Sequence, residues 1–343
     1  MKKVLVVATS RKTRGGITSV VKAHQTGEQW KKYHCKWIQT HRDGNPVRKL
    51  FYLGTALIEY LLFLPFYDIV HIHIATVQSA KRKALFYYIA KWMNKKIIFH
   101  FHPSNELFLF EPSNRSLYTK LFSGADLVLV LSEQWKRWIK EALGLTEHIK
   151  VLYNPCPQVN RRDDCREKNI LFAGTIIQRK GYSDLIMAFA KIANKYPSWK
   201  LIFAGNGEIE KAKNLAKEKG IENQTIFLGW VSGMVKEKTF QSASIYCLAS
   251  YGEGFPMGVL DAWAYGIPCV VTPVGGIPDI IINAKNGLIY PAGDIDKLAE
   301  QLECLILNRG LRESIVEESN KYVNGEFNIN VINKRLDNIY SSL

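Results

Sequence analysis

The chain has 343 residues, 47% hydrophobic and 22% charged: long enough for two domains that each bury a core, and too apolar for a disordered or low-complexity chain. Six cysteines, Cys35, Cys156, Cys165, Cys247, Cys269 and Cys304, lack CxxC or Cys/His ligand spacing, which argues against a disulfide framework or a zinc site and points to reduced thiols in a cytoplasmic protein. The net charge of +15 is one-sided, with 26 Lys and Arg against 12 Asp and Glu in residues 1–165 and 20 against 19 in the rest. A basic half suits an anionic membrane surface or nucleic acid, unless it serves solubility alone.

The start, MKKVLVVATSRKTRGG, carries an apolar run only from Val4 to Ala8 before a basic glycine-rich loop, so it reads as a first strand and not as a signal peptide. Strands are predicted next at Cys35–Gln39, Ile69–Ile74, Lys96–His102, Leu127–Leu131 and Lys150–Tyr153, with helices between them, among them Gly16–Gln29 and Lys81–Met93. The apolar stretch Leu50–Phe66 is interrupted by Glu59 and Pro65 and falls short of the ~20 residues of a spanning helix. It is read as a buried amphipathic helix leading into the strand Asp68–Ile74, and no transmembrane segment is expected. His71, His73, His100 and His102 alternate on two strand ends, each pair on one face. Without carboxylate or cysteine spacing beside them, no metal is expected there.

The run Val151–Asn169 loses periodicity and carries two prolines and a charge cluster, so residues 158–168 are expected to form a linker. A second series of strands follows at Asn169–Ala173, Lys200–Gly205, Thr225–Leu228, Ile245–Leu248, Pro268–Thr272 and Leu288–Tyr290. One intervening helix, Ser183–Lys195, is read as opening on a Ser-Asp capping pair. The triplet Asp294-Ile-Asp296 formally reads DxD, but is expected to cap the helix Asp296–Leu307. A last helix, about Val331–Leu343, has an apolar face able to pack on either domain. The alternation implies an α/β protein of two Rossmann-like domains facing across a cleft, residues 1–157 and 169–325. Neither half carries GxGxxG or a P-loop, so a nicotinamide or flavin enzyme is poorly supported.

Two segments carry chemistry. In SYGEGFPMGVLDAWAYG, glycines and Glu253 precede a helix with Pro256 in its first turn. The amides of Met257 and Gly258 point out of that helix start, where the macrodipole attracts anions such as a diphosphate. Asp261 lies about one and a half turns inside. Paired carboxylates suit sugar and ribose hydroxyls; the same residues equally suit an ordinary capped helix. In FAGTIIQRKGYSD, Arg179 and Lys180 precede a helix start and suit a leaving diphosphate, although two basic residues in a turn are also common at surfaces.

Much of residues 170–300 resembles the donor domain of the retaining glycosyltransferases of family 4, which have the GT-B fold. The ordered matches are FAGTIIQRKG, FAGNGE, FLGWV, EGFPMGVLDAWAYGIPCVVT, GGIPDII and NGLIYPAGD. The first half matches more weakly, through Arg14-Gly15-Gly16-Ile17, DIVHIH, IIFHFH and YNP, as an acceptor domain would. The resemblance implies that Glu253 contacts the donor sugar, with backbone of Gly254, Phe255, Pro256, Met257 and Gly258 holding sugar or phosphate. Asp261 stands where the family has its ribose-binding glutamate, Lys180 corresponds to the lysine on the diphosphate, and Gly16 and Gly207 belong to loops approaching the donor. Trp230 and Val231 would frame the base. His102 corresponds to the histidine near the reacting carbon, with His100 as the alternative.

Two positions depart from the family pattern. Thr175 replaces an arginine of the phosphate clamp, a role Arg179 is expected to take over; an unreplaced contact would cost about 1.5–3 kcal/mol. Asp261 is one methylene short of the usual glutamate, so a bridging water is expected.

The resemblance implies transfer from a UDP- or GDP-sugar, with retention, to a saccharide acceptor, expected to be polyprenyl-linked and met by the basic half at the inner face of a bacterial plasma membrane. Residues 326–343 would return to the first domain. No cofactor, no metal and no nucleic acid are expected. The alternatives are a nucleotide-sugar epimerase, an inverting transferase, or a non-catalytic nucleotide-sugar or nucleic-acid binding protein.

Overall fold

The structure, a computed structural model, describes residues 2–42 and 44–343. The chain forms two compact units, Met1–Pro155 together with Phe327–Leu343, and Cys156–Glu326. The charge divides along the same line. The first unit carries 26 Lys and Arg against 11 Asp and Glu and the second 20 against 20, so the second is electroneutral.

In chain order the first unit contains β1 (Val4–Ala8), α1 (Gly16–Gln25), α2 (Glu28–Lys32), β2 (Lys36–Gln39), α3 (Pro46–Phe63), β3 (Ile69–Ile74), α4 (Val77–Trp92), β4 (Lys96–Phe101), α5 (Leu107–Phe110), α6 (Pro112–Ser123), β5 (Leu127–Val130), α7 (Glu133–Leu143) and β6 (Ile149–Val151). The six strands form one parallel sheet in the order β2-β1-β3-β4-β5-β6. β1 and β3 are buried along their whole length, as strands covered by helices on both faces require. Side-chain caps set the helix starts: Asn45 accepts from Arg48 N, Thr76 from Ser79 N and Ser132 from Trp135 N. The helix expected over Gly16–Gln29 is broken at Thr26–Gly27 into α1 and α2, because the backbone leaves helical geometry at Gly27 (ψ 155°), which becomes the N-cap of α2.

The C-terminal helix, Ile329–Ser342, belongs to this first unit. Ile332, Leu336, Ile339 and Tyr340 enter the core built on Val4, Val6 and Ile69. Asn333 Oδ1 accepts from Gln29 Nε2 at 3.0 Å and lies 3.1 Å from His24 Nδ1, and Lys32 pairs with Asp337 at 2.7 Å.

The expected buried helix at Leu50–Phe66 is corrected. The residues are helical, but Val47, Leu50, Phe51, Ile58, Leu62 and Phe66 are each 63–77% exposed. The stretch Val47–Phe66 is 20 residues with mean hydropathy 1.4, long and apolar enough by length and composition to cross a membrane, and only 17% of its most apolar window is buried. The sequence reading failed because this helix is apolar nearly all round: Ala56, Tyr60 and Leu64 are buried while the opposite side is apolar too.

The second unit contains β7 (Asn169–Ala173), α8 (Tyr182–Ile192), β8 (Lys200–Ala204), α9 (Ile209–Glu218), β9 (Thr225–Gly229), α10 (Gly233–Ser242), β10 (Ile245–Leu248), α11 (Met257–Ala264), β11 (Cys269–Val271), β12 (Leu288–Ile289), α12 (Ile295–Leu307) and α13 (Arg309–Asn324). Its parallel sheet runs β12-β11-β10-β7-β8-β9, the doubly wound Rossmann order with its switch point between β7 and β10. Gly181, not a Ser-Asp pair, caps α8 in a left-handed conformation (φ 66°). Asp294 accepts from Lys297 N at 2.9 Å and caps α12. The residues expected to be a linker are built into this unit. Arg166 donates to the carbonyls of Phe240, Gln241, Ala243, Tyr265 and Gly266, so part of the charge cluster that reads as a linker is a clamp on the turn ends around β10.

Candidate functional site

At the switch point of the second unit, the loops leaving β7 and β10 meet above the carboxyl ends of their strands, where an open α/β sheet binds ligands. The β7 loop makes a short 3-10 turn at Gln178–Lys180 and reverses at Gly181. A Cβ at Gly181 would lie 1.9 Å from the Ala249 carbonyl oxygen, so the close approach of the two loops requires glycine there. The approach is fixed by Tyr251 N donating to Arg179 O at 2.8 Å and by the Arg179 guanidinium donating to Gly252 O. Lys180 Nζ pairs with Glu253 Oε1, and Ser250 Oγ donates to the same carboxylate oxygen at 2.6 Å. Glu253 is buried and Lys180 largely so. A desolvated carboxylate of this kind is held by its two partners.

On its other side the Glu253–Gly254 backbone packs against Gly275–Gly276. Gly276 N donates to Gly254 O at 2.9 Å, and a Cβ on Gly275 (φ 61°) would lie 1.8 Å from Glu253 O. Phe255 is buried. Pro256 is the N-cap of α11, one position before the first turn expected for it, and no side chain caps that helix. Val259 N donates back to Pro256 O at 3.1 Å, so the amides that this helix start can present to a ligand or solvent are those of Met257 and Gly258. Gly258 permits the helix to sit on Tyr246, whose hydroxyl a Cβ would meet at 2.0 Å.

Asp261 does not join the Glu253 cluster. Its carboxylate pairs with Lys236 Nζ of α10 at 2.7 Å. Burial raises the Asp261 carboxyl above the usual range, and Lys236 opposes that rise. The sequence reading missed Lys236: nothing in SGMVKEK marks one lysine, and its partner lies on another helix. Ser250 was missed for the same reason, since a serine in a loop carries no signal until its acceptor is known.

Thr175 is exposed at the end of β7 and brings no charge. The chain beyond it zips against the β8 loop: Ile176 N donates to Asn206 O at 2.7 Å and Glu208 N to Ile176 O at 2.8 Å. A Cβ at Gly207 (φ 125°) would lie 2.3 Å from Ile176 O, so this glycine has a packing reason of its own. Past β9, Gly229 (φ 66°) and Gly233 (φ 54°) turn the chain and leave Trp230, Met234 and Val235 exposed, with Val231 partly buried between them. An open hollow of about 570 Å³ between the α9 start and the β9 end is lined by Gly207, Ile209, Phe227 and Gly229 among others.

Gly16 and His102 belong to the first unit. Gly16 is the exposed first residue of α1, behind the loop that leaves β1 at that sheet's own switch point. His102 follows β4, its amide donating to Ile74 O at 2.7 Å and its Nε2 lying 2.9 Å from His73 Nδ1. His71, His73, His100 and His102 stack in one buried layer with ring centroids 4.2–5.4 Å apart. His71, His73 and His100 each offer a nitrogen within 4.8 Å of the others. His102 keeps 9% exposure, against 1% or less for the other three. Burial, first of all, holds all four well below the ordinary imidazole range, His71 at about 3. They are neutral near pH 7. Lys83, also missed, is fully buried and donates to His73 O; desolvation drops its ammonium to about 7.

Residues 160–322 match the family of Glycosyl transferases group 1, and residues 13–157 match Glycosyltransferase Family 4. An uncharacterized glycosyltransferase of Methanocaldococcus jannaschii is 34% identical over 176 residues, 51% of this chain and 45% of that protein. The lipopolysaccharide 1,6-galactosyltransferase of Salmonella typhimurium is 30% identical over 190 residues, 53% of each chain. The chain thus spans about half the length of these curated relatives. The crystal structure of Anabaena HepE in complex with UDP and glucose superposes over 100% of both chains with a TM-score of 0.80 at 18% identity, a likeness of fold. With both sheets in Rossmann-like order and the two matches together taking in most of its length, the chain belongs to the glycosyltransferases of group 1 and family 4 and has the GT-B fold.

Proposed function

We propose that this protein transfers a sugar from a UDP- or GDP-sugar, with retention of anomeric configuration, to a saccharide acceptor carried on a lipid. The reaction would serve bacterial surface polysaccharide or glycoconjugate synthesis at the inner face of the plasma membrane. The observation that carries the reading is the Lys180–Glu253 ion pair, placed at the switch point between β7 and β10. Family membership supports the sugar transfer, and UDP in the HepE structure supports a nucleotide-sugar donor.

In this reading the donor diphosphate lies at the start of α11 and draws Lys180 toward it, while Glu253 turns from Lys180 to the sugar hydroxyls. Arg179, already bound to the Gly252 carbonyl, supplies the second charge that Thr175 lacks. The ribose is held at Asp261, the base near Trp230 and Val231. The leaving phosphate accepts the acceptor's proton on the same face, so the protein supplies positioning and charge stabilisation, no nucleophile and no metal. His102, neutral and held by His73, is the histidine that the family resemblance assigns to the sugar transfer.

Glu253→Ala and Lys180→Ala are each expected to lower kcat/KM at least about a hundredfold, in line with removing one preorganised electrostatic contact. EDTA should leave the wild-type rate unchanged. Near-wild-type turnover in both variants would overturn the assignment, and proton NMR of the product's anomeric centre decides retention against inversion.

A further inference from the structure

α3 is the connection between β2 and β3, two strands that both pair with β1 in one parallel sheet. Both of its ends are therefore tied to the same layer, and it lies along the unit instead of leaving it. Its inner side is fixed by Ala56, Tyr60 and Leu64: Tyr60 packs edge-on against Phe86 of α4 at 4.9 Å and donates to the Phe86 carbonyl at 2.8 Å. The outer side of α3 and of the 3-10 turn Leu64–Phe66 that continues it is where Val47, Leu50, Phe51, Ile58, Leu62 and Phe66 stand in water. A run of i, i+3, i+4 and i+7 spacings puts these on one stripe about 30 Å long. A contiguous apolar stripe of this size on a monomer marks a surface made to be covered.

The charge around the stripe says what covers it. Glu59 is the only acidic residue among residues 46–66, and Lys36 pairs with it at 3.0 Å. Arg48 and Lys49 stand exposed in the first turn. The neighbouring α4 carries no acidic residue; of its four basic ones Lys81 and Lys91 are exposed, Arg82 is partly so and Lys83 is buried, and Lys95 beyond it donates to Pro65 O, which sets the ends of the two helices side by side. Trp92, 83% exposed, stands at that same end, with Tyr88 and Leu85 exposed one and two turns before it. Lys120 lies 5.3 Å from the Tyr88 ring. Apolar side chains framed by cations with an indole at one end match the layering of a bilayer surface: acyl chains, then anionic headgroups.

We propose that α3 lies in the plane of an anionic membrane with this stripe sunk into the headgroup–acyl boundary, making the first unit a monotopic membrane anchor. This deepens the lipid-linked acceptor reading, and goes beyond charge attraction. Apolar burial is not screened by salt, so a fraction of binding must survive where electrostatics do not.

The test is co-sedimentation of the full chain with phosphatidylcholine vesicles, with and without phosphatidylglycerol, at low and high salt. The wild type should bind the anionic vesicles and keep part of that binding in high salt. The triple variant F51D/I58D/L62D, changed only at exposed positions, should bind at least about tenfold more weakly while keeping its melting temperature. Wild type that ignores anionic vesicles, or a variant that binds them as well as wild type, overturns the proposal. So does wild type that dimerises in light scattering through this face without binding vesicles, since a second copy is then the occupant. A thermal shift by UDP-sugars in the same preparations reads the donor site separately, so loss of the anchor and loss of the transferase reading are told apart.

Discussion

Lys180 and Glu253 are 73 residues apart and meet because β7 and β10 are neighbours in the sheet though not in sequence. The residue types at this point were legible: a glutamate in a glycine loop before a helix, and a lysine before another helix start, are what a sugar and a diphosphate need. What the sequence could not give was that the two would pair with each other. The pair keeps a buried carboxylate satisfied, so a group that takes either partner has to replace those bonds as well as add its own. Lys236 was invisible for a related reason, because its role exists only through Asp261. Removing it leaves a largely buried carboxylate alone, so Lys236→Ala is expected to lower stability by about 1–2 kcal/mol in chemical denaturation. The double variant K236A/D261N should regain most of that. If the single and double variants are equally destabilised, the pair has no special part in holding α10 against α11.

At the scale of elements, strands were the most readable, because a buried parallel strand is a short apolar run bounded by turns. Ends drifted by a residue or two where a strand's expected last residue is the first of the following loop, as at His102 and Gly205. α3 was misread on physical grounds: a helix apolar on every side has the same pattern whether protein or lipid surrounds it. The structure separates its two sides, and mutation should as well. Ile58→Asp is expected to change unfolding free energy by no more than about 0.5 kcal/mol. Tyr60→Ala, which removes a fully buried ring and its bond to Phe86 O, should cost about 3–5 kcal/mol. Equal losses at the two positions would mean that the stripe is covered by protein after all.

Over the whole molecule, all eight histidines fall in the first unit and none in the second. Five of them are buried: His24, His71, His73, His100 and His102. Burial lowers every one of these below 6.5, His24 to about 4 and His71 to about 3. The unfolded chain therefore takes up protons first as the pH falls. Their contribution to stability is fully present above about pH 6.5 and is lost below it, by ~2 kcal/mol at pH 5 for each group that stays neutral there. Lys83 acts in the same sense at higher pH, since its ammonium is also disfavoured in the folded state. Several such groups together rival the entire margin of an ordinary domain. Calorimetry from pH 7.5 to 5 should show the transition of the first unit falling steeply while that of the second, which lacks histidine, moves little. Parallel shifts of the two would show that the imidazole layer is not what responds.

The return of the last helix also has a consequence for synthesis. His71 and His24 are covered by Tyr340 and Asn333, which leave the ribosome after every residue of the second unit. The second unit is one unbroken segment and can fold as soon as it emerges. The first must wait, with its imidazoles and the inner faces of β1 and β3 uncapped. The half made first is thus finished last, and until that helix emerges it offers both an incomplete core and the apolar stripe of α3 to whatever stands nearest the ribosome's exit.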